Sequence, residues 1–352
     1  MGKLRLGVIG AGSWAVAAHL PALAERGEEI EFAGVCRKGG EALRRIKDRY
    51  GFRVASEDYR DVLDAGVDIC VVASPTALHH EQVRAALEAG AHVLCEKPMT
   101  IRPEDAWDLV ETARRAGREL LISFGWNYSP MIRAAKRLVD EHGLGRLEHM
   151  TVHMSSQTRE LLSNTGAYPD ADPDTVPEPA TWTDPRVSGG GYGQAQLSHA
   201  LGLALHLVPE RVECAFALMS GPDEAPVELH DAIALRFTGG GVGTLSGGSA
   251  HLGAGGNKHA LEVRAIGSEG QLLVDVEREL VWLYRPDGTD IRLPVSPGDG
   301  AYQPWGPANA LVDAALGHAG ANAAPGDLGA RTVEALDLAY RSARSGRLEA
   351  RS

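Results

Sequence analysis

The stretch HVLCEKPMT, residues 92–100, sets Glu96 and Lys97 between an apolar run and Pro98. The run reads as a buried strand, and open α/β sheets take their ligands at the carboxyl ends of strands. A lysine shielded from water at such an end has its cation disfavoured. Its lowered pKa then suits it to polarise an alcohol or relay a proton. Strand and proline alone support a solvated surface pair equally well. A second stretch is more specific. Gly10-Ala11-Gly12-Ser13-Trp14-Ala15 has the form GxGxxA, after the apolar run LRLGVI and before a helical pattern. In that context the spacing is a dinucleotide-binding fingerprint. Gly10 allows the tight turn, Gly12 lets a pyrophosphate approach the backbone, and Ala15 is small enough for helix to meet sheet. Ser13 and Trp14 lie where the helix N-terminus offers unpaired N–H groups to phosphates.

The residues that choose between dinucleotides stand at the end of the second strand, about 20 residues beyond the fingerprint. An acid there binds a ribose diol and repels a 2′-phosphate. This chain has Arg37 and Lys38 instead. A guanidinium and an ammonium suit a phosphate dianion, which predicts NADP(H) as the preferred cofactor. NAD(H) is the alternative, with Arg37 merely stacked on adenine.

These groups need a scaffold, and the hydrophobic pattern supplies one. Short apolar strands and helical segments alternate through about residue 125, closed by Gly51, Gly90 and Gly117. Alternation of that kind predicts a parallel, doubly wound sheet with helices on both faces. In the first helix, Ala17, Leu20, Leu23 and Ala24 are expected to share the buried face. A bridging helix over 129–145 follows. Beyond it, seven strand-like runs separated by turn signals predict a large, mostly antiparallel sheet. Residues 163–188 are rich in Pro, Asp and Thr and read as a lid, an arm or a disordered insert. The last 45 or so residues read as amphipathic helices. The expected division is a dinucleotide-binding domain over 1–125, an α+β substrate domain over 126–305, and C-terminal helices over 306–352 that pack back on both.

The bulk properties exclude other classes. A formal net charge of −12 disfavours nucleic acid and anionic membranes as partners. Cys36, Cys70, Cys95 and Cys214 are widely spaced, with no CxxC and no Cys/His cluster at zinc spacing. No metal is expected, and buried free thiols fit a reducing compartment. The chain enters a strand at once, without a leader pattern, and lacks a run of membrane-spanning length. It reads as a soluble, cytoplasmic protein.

Several segments together resemble the Gfo/Idh/MocA oxidoreductases, the family of glucose–fructose oxidoreductase and inositol dehydrogenase. They are GVIGAGSWAVAAHLPAL, SPTALHHEQVRAALEAGAHVLCEKPMT, GGGYGQAQLSHALG, AIGSEGQLLVD and AYRSARSGR. The resemblance implies an N-terminal Rossmann domain and a C-terminal α+β domain whose open antiparallel sheet serves in a homo-oligomer, dimer or tetramer. It implies hydride transfer between nicotinamide and a secondary alcohol or ketone of a sugar, cyclitol or related polyol. On this likeness Lys97 lies beside the nicotinamide and the reacting hydroxyl, and Glu96 near the nicotinamide ribose. Ser74, Pro75, Thr76 and His79 match the loop over the nicotinamide. Asn127 and Tyr128 match a substrate-contacting region, in which Ser129 replaces the usual Arg. His199 matches the family's helix histidine, the implied general acid/base.

One departure stands out. The family's Asp, four residues before the histidine, is Ala195 here. On an α-helix only residues three or four apart share a face, so Gln196 is the nearest polar substitute. Its amide hydrogen-bonds a hydroxyl or orients the imidazole but takes no proton. That loss keeps two rivals open. One is an enzyme that oxidises a sugar transiently, with elimination or hydrolysis and no net redox change. The other is a non-catalytic dinucleotide sensor.

Overall fold

The structure, a computed structural model, describes residues 2–166, 175–176, 178–251 and 259–351. Residues 167–174 and 177 of the lid or arm expected over 163–188 therefore lie outside the described residues. The chain divides into two compact units. The first comprises residues 1–125, 170–181 and 303–330; the second comprises 126–169, 182–302 and 331–352.

The first unit is built on six strands: β1 (Leu4–Ile9), β2 (Ile30–Cys36), β3 (Val54–Ser56), β4 (Ile69–Val72), β5 (His92–Cys95) and β6 (Leu120–Ile122). They pair in parallel in the order β3-β2-β1-β4-β5-β6. Every residue of β4 is buried, as expected where helices cover both faces. The connecting helices are α1 (Leu20–Ala24), α2 (Gly40–Tyr50), α3 (Tyr59–Asp64), α4 (His79–Glu88) and α5 (Pro103–Ala116). Gly51 and Gly117 end α2 and α5 in the left-handed conformation, at φ 74° and 62°. The helix Gly306–Ala315 returns to this unit. It buries Ala308, Leu311 and Val312, and an ion pair of 2.8 Å joins Asp313 to Arg26.

The expected face of the first helix is corrected. Ala17 and Ala24 are exposed, whereas Val16, Ala18, His19, Leu20 and Leu23 are buried. Residues Ala15–His19 form a π turn ahead of α1. Its hydrogen bonds span five residues instead of four, while the buried Val16, His19, Leu20 and Leu23 keep the i, i+3, i+4, i+7 stripe, which leaves Ala17 and Ala24 outside it.

The second unit has a nine-stranded sheet: β7 (Leu147–Ser156), β8 (Val212–Ser220), β9 (His230–Phe237), β10 (Val242–Ser249), β11 (His259–Gly267), β12 (Gly270–Asp275), β13 (Leu280–Tyr284), β14 (Asp290–Arg292) and β15 (Glu349–Ala350). Their order is β14-β13-β12-β11-β7-β10-β9-β8-β15, antiparallel except for β7 with β10. In β9 exposed and buried residues alternate strictly, which puts Asp231, Ile233, Leu235 and Phe237 on the inner face. Phe216, Leu218, Val242 and Ile266 stay exposed. The helices here are α6 (Pro130–His142), the single turns α7 (Arg159–Leu162), α8 (Ala180–Thr183, from Trp182 onward) and α9 (Pro185–Ser188), α10 (Ser198–Leu207), and the last helix, Gly326–Ser345, from Arg331 onward. Apart from His206, all of α10 is buried, as its apolar character on every side requires. Among the described residues no helix is long and apolar enough to cross a membrane.

Candidate active site

In the first unit the candidate groups gather at the carboxyl ends of the parallel strands. Gly10 follows β1 at φ 83°, and a Cβ there would lie 2.3 Å from the backbone nitrogen of Ser74. Conformation and contact both demand glycine. Gly12 differs: its φ lies outside the left-handed range, and a Cβ would meet nothing nearer than Gly10 O at 3.9 Å. Nothing among the described residues calls for glycine at position 12, whereas a pyrophosphate resting on the loop does. The loop therefore fits a dinucleotide. Ala15 is buried under the loop, Trp14 is exposed, and the Ser13 hydroxyl donates to Thr175 O at 2.8 Å.

Arg37 leaves the end of β2 and turns toward the same loop. Its Nη1 donates to Ala11 O at 3.3 Å and its Nε to Lys38 O at 3.0 Å. Lys38 is exposed. Both cations stand where the sequence expects them, after the second strand.

The loop after β4 is held from within the protein. Ser74 Oγ donates to Gln82 Oε1 at 2.6 Å, and Pro75 leads into the short turn Thr76–Leu78. His79 is buried. Its Nε2 lies 2.7 Å from Ser74 O and its Nδ1 3.0 Å from Pro98 O. Burial lowers its pKa, against these carbonyls and Glu96. A neutral imidazole donates to only one of the two oxygens at a time. Thus His79 ties the β4 loop to the β5 loop through its side chain. Its neighbour His80 is half-buried and lies 2.8 Å from Asp108.

Beyond β5, the Lys97–Pro98 peptide is cis. Glu96 Oε1 lies 2.8 Å from His19 Nε2, and Glu96 Oε2 accepts the Lys97 N–H at 3.1 Å. Burial pushes the Glu96 carboxyl up, but the hydrogen bond and charge of His19, with smaller help from Lys97, hold it below the ordinary range. Burial drives the Lys97 ammonium down to about 8, with Glu96 opposing. His19 is absent from the sequence expectations, because an imidazole in an Ala/Leu-rich helix gives no local sign of its partner. His19 shares the i, i+3, i+4, i+7 stripe of the buried Val16, Leu20 and Leu23, so spacing buries it and only packing gives it a partner.

In the second unit, Asn127 and Tyr128 are both buried, in the short turn Gly125–Tyr128. Ser129 serves the fold. Its Oγ caps α6 by accepting the Ile132 N–H at 3.3 Å, just ahead of Pro130. Ser-Pro at a helix start is the legible sign of that role.

Residues Gly193–Leu197 form a second π turn, ahead of α10, and Gln194, Ala195, Gln196 and His199 are all buried. Gln196 lies within this turn and His199 in the first turn of α10. The Oε1 of Gln194 is buried with no hydrogen-bond partner among the described residues. Regular helical spacing gives no sign of it. Aromatic rings surround His199: Trp126 lies 5.4 Å away at 88° and Tyr302 5.6 Å away at 89°, both edge-to-face. Where the family places a carboxylate, this chain has Ala195, and aromatic edges hold the imidazole.

Comparison with known proteins agrees with this construction. Residues 4–124 match the model of an oxidoreductase family with an NAD-binding Rossmann fold, and residues 132–273 match the GFO/IDH/MocA C-terminal domain. The chain belongs to the Gfo/Idh/MocA oxidoreductase family. Among similar proteins, levoglucosan dehydrogenase of Pseudarthrobacter phenanthrenivorans is 26% identical over 274 residues, 69% of this chain and 65% of that protein. D-glucoside 3-dehydrogenase of Escherichia coli is 32% identical over 189 residues, 53% of this chain and 49% of that protein. The match thus spans about half to two thirds of these relatives. An inositol dehydrogenase homologue complexed with NAD+ from Azotobacter vinelandii has the same fold. Its TM-score is 0.78 at 21% identity, over 99% of this chain and 97% of that one. As in the family generally, a nicotinamide dinucleotide is the cofactor, and unit one supplies its Rossmann fold.

Proposed function

We propose that the protein transfers a hydride between NADP(H), with NAD(H) second, and a secondary alcohol or ketone of a sugar, cyclitol or related polyol. The observation that carries this reading is the carboxyl edge of the parallel sheet. There the open Gly12 loop ends β1 and a lysine with pKa about 8 follows β5, on either side of β4. The relatives support the substrate class, since those named above act on a levoglucosan and a D-glucoside.

When bound, the nicotinamide supplies or accepts the hydride. Gly10, Gly12, Ser13, Trp14 and Ala15 form the pyrophosphate cradle, and Arg37 with Lys38 takes the 2′-phosphate. The Ser74–Thr76 loop, braced by His79, borders the ring, and Glu96 holds the ribose. The Lys97 ammonium stabilises the alkoxide that develops as the hydroxyl proton departs to His199. Asn127, Tyr128 and Gln196 bind the substrate. Exposed Phe216, Leu218, Val242 and Ile266 support a homo-oligomer formed through the second sheet. Four buried free thiols support a cytoplasmic setting.

Calorimetric titration with NADPH and NADH, followed by a 340 nm absorbance screen over sugars and cyclitols, tests the reading. Tighter NADPH binding and turnover of a polyol are expected. Equal or tighter NADH binding overturns the cofactor preference. Tight binding without turnover across the panel replaces the enzyme with a dinucleotide-sensing protein. Turnover without net change in NADPH replaces it with a cofactor-retaining, non-redox enzyme.

A further inference from the structure

The glycine-rich lead-in to His199 invites an explanation by backbone freedom, but packing gives a stronger one. A Cβ at Gly190 would lie 2.3 Å from the Tyr340 hydroxyl, and one at Gly193 would lie 2.7 Å from it. A Cβ at Gly191 would lie 2.3 Å from Glu228 O and 2.8 Å from Glu228 Oε2. The glycines leave room for two polar side chains from distant parts of the second unit: Glu228, just before β9, and Tyr340 on the last helix.

Those side chains satisfy the backbone they press against. Both Glu228 carboxylate oxygens accept the Gly191 N–H at 2.9 Å, and Oε1 also accepts the Gly193 N–H at 3.1 Å. Tyr340 Oη donates to Glu228 Oε1 at 2.5 Å and accepts the Gln194 N–H at 3.1 Å. The N–H groups at the start of a helix have no partner within the helix. Here a carboxylate and a phenol, hydrogen-bonded to each other, take three of the N–H groups in the lead-in and first turn. Asp231 faces the pair from β9, 4% exposed, with neither oxygen bonded among the described residues.

We propose that Glu228 and Tyr340 are positioning residues that lock the phase of the π turn Gly193–Leu197, and so set where Gln194, Gln196 and His199 point. A π turn is rare and occurs mostly as a single turn within a helix, frequently at a functional site. The clamp grips the backbone N–H groups of Gly191, Gly193 and Gln194, not the side chains ahead of them. The inference rests on the proposed function only in naming the substrate as what those side chains serve.

Tyr340→Phe removes one oxygen and Glu228→Gln removes the charge. Deuterium exchange over residues 188–199 reads the clamp without any activity. Amide exchange at Gly191, Gly193 and Gln194 should quicken about tenfold, the size expected for one lost buried hydrogen bond. Where a polyol is turned over, kcat should fall about tenfold or more while NADPH Kd stays within twofold. The fall in kcat should vanish in the His199→Asn background. Unchanged exchange in both variants overturns the clamp. An equal loss of kcat with and without His199 overturns the positioning role. Absence of any turnover counts against the proposed function alone, because the exchange measurement still decides the clamp.

Discussion

His19 Nε2 and Glu96 Oε1 lie 2.8 Å apart, with the imidazole fully enclosed and its Nδ1 without a hydrogen-bond partner among the described residues. The carboxylate next to Lys97 is therefore aimed by a side chain from the helix that follows the glycine loop. Removing one member of such a buried pair leaves the other charge uncompensated, at a cost of about 3 kcal/mol. His19→Phe should lower unfolding stability in denaturant by about that amount, and adding Glu96→Gln should restore much of it. The pH dependence has a definite sign. Glu96 titrates below its ordinary value, so its contribution is present above that value and disappears as pH falls through the folded one. In His19→Phe the acid limb of stability should flatten; an unaltered limb would refute the coupling.

Lys97 titrates near 8, because burial disfavours its cation. Reaction of its amine with trinitrobenzenesulfonate should rise with a midpoint near pH 8, in contrast to about 10.4 for a solvated lysine. Below that midpoint the ammonium is present, so polyol oxidation that depends on it should decline as pH rises through 8. Lys97→Met should lower kcat by about a hundredfold or more, the scale for removing one donor from a developing oxyanion. A labelling midpoint near 10 would contradict the burial argument.

Arg37 reaches back to the Ala11 carbonyl of the glycine loop. A charge-assisted hydrogen bond to a phosphate contributes about 1.5–3 kcal/mol. Arg37→Gln should therefore weaken NADPH binding roughly tenfold to a hundredfold and leave NADH binding within about twofold. Equal losses for both dinucleotides would mean that Arg37 only shapes the loop.

Asp231 is driven up to about 8, by burial first and by the charge of Glu228 second. Its folded pKa exceeds the ordinary value near 3.9, so the unfolded chain releases the proton first as pH rises. Stability is then lost from about pH 4 up to about pH 8. Asp231→Asn should remove that loss and raise stability at pH 8 by at least about 1 kcal/mol. Denaturant titrations at pH 5 and pH 8 measure it, and a variant less stable than the parent at pH 8 would show that the carboxyl makes a favourable contact.

The sequence by itself determined the alternating α/β unit, the second sheet and the glycine loop, because strand period, glycine stops and GxGxxA are local properties. Seven strands of the second sheet follow from their apolar runs. β3, β14 and β15, two or three residues long, were too short to carry a period. Lys97 and the Arg37–Lys38 pair were legible because each stands at the end of an apolar strand. Tertiary structure alone decided what surrounds them. His19 finds Glu96 from 77 positions away, and two π turns, over residues 15–19 and 193–197, interrupt helices that local spacing reads as regular. Glu228 and Tyr340 reach the glycine turn from 35 or more positions away in the chain. Their hydrogen bonds depend on how strands and helices pack, and a pattern that repeats every two or 3.6 residues holds no record of that.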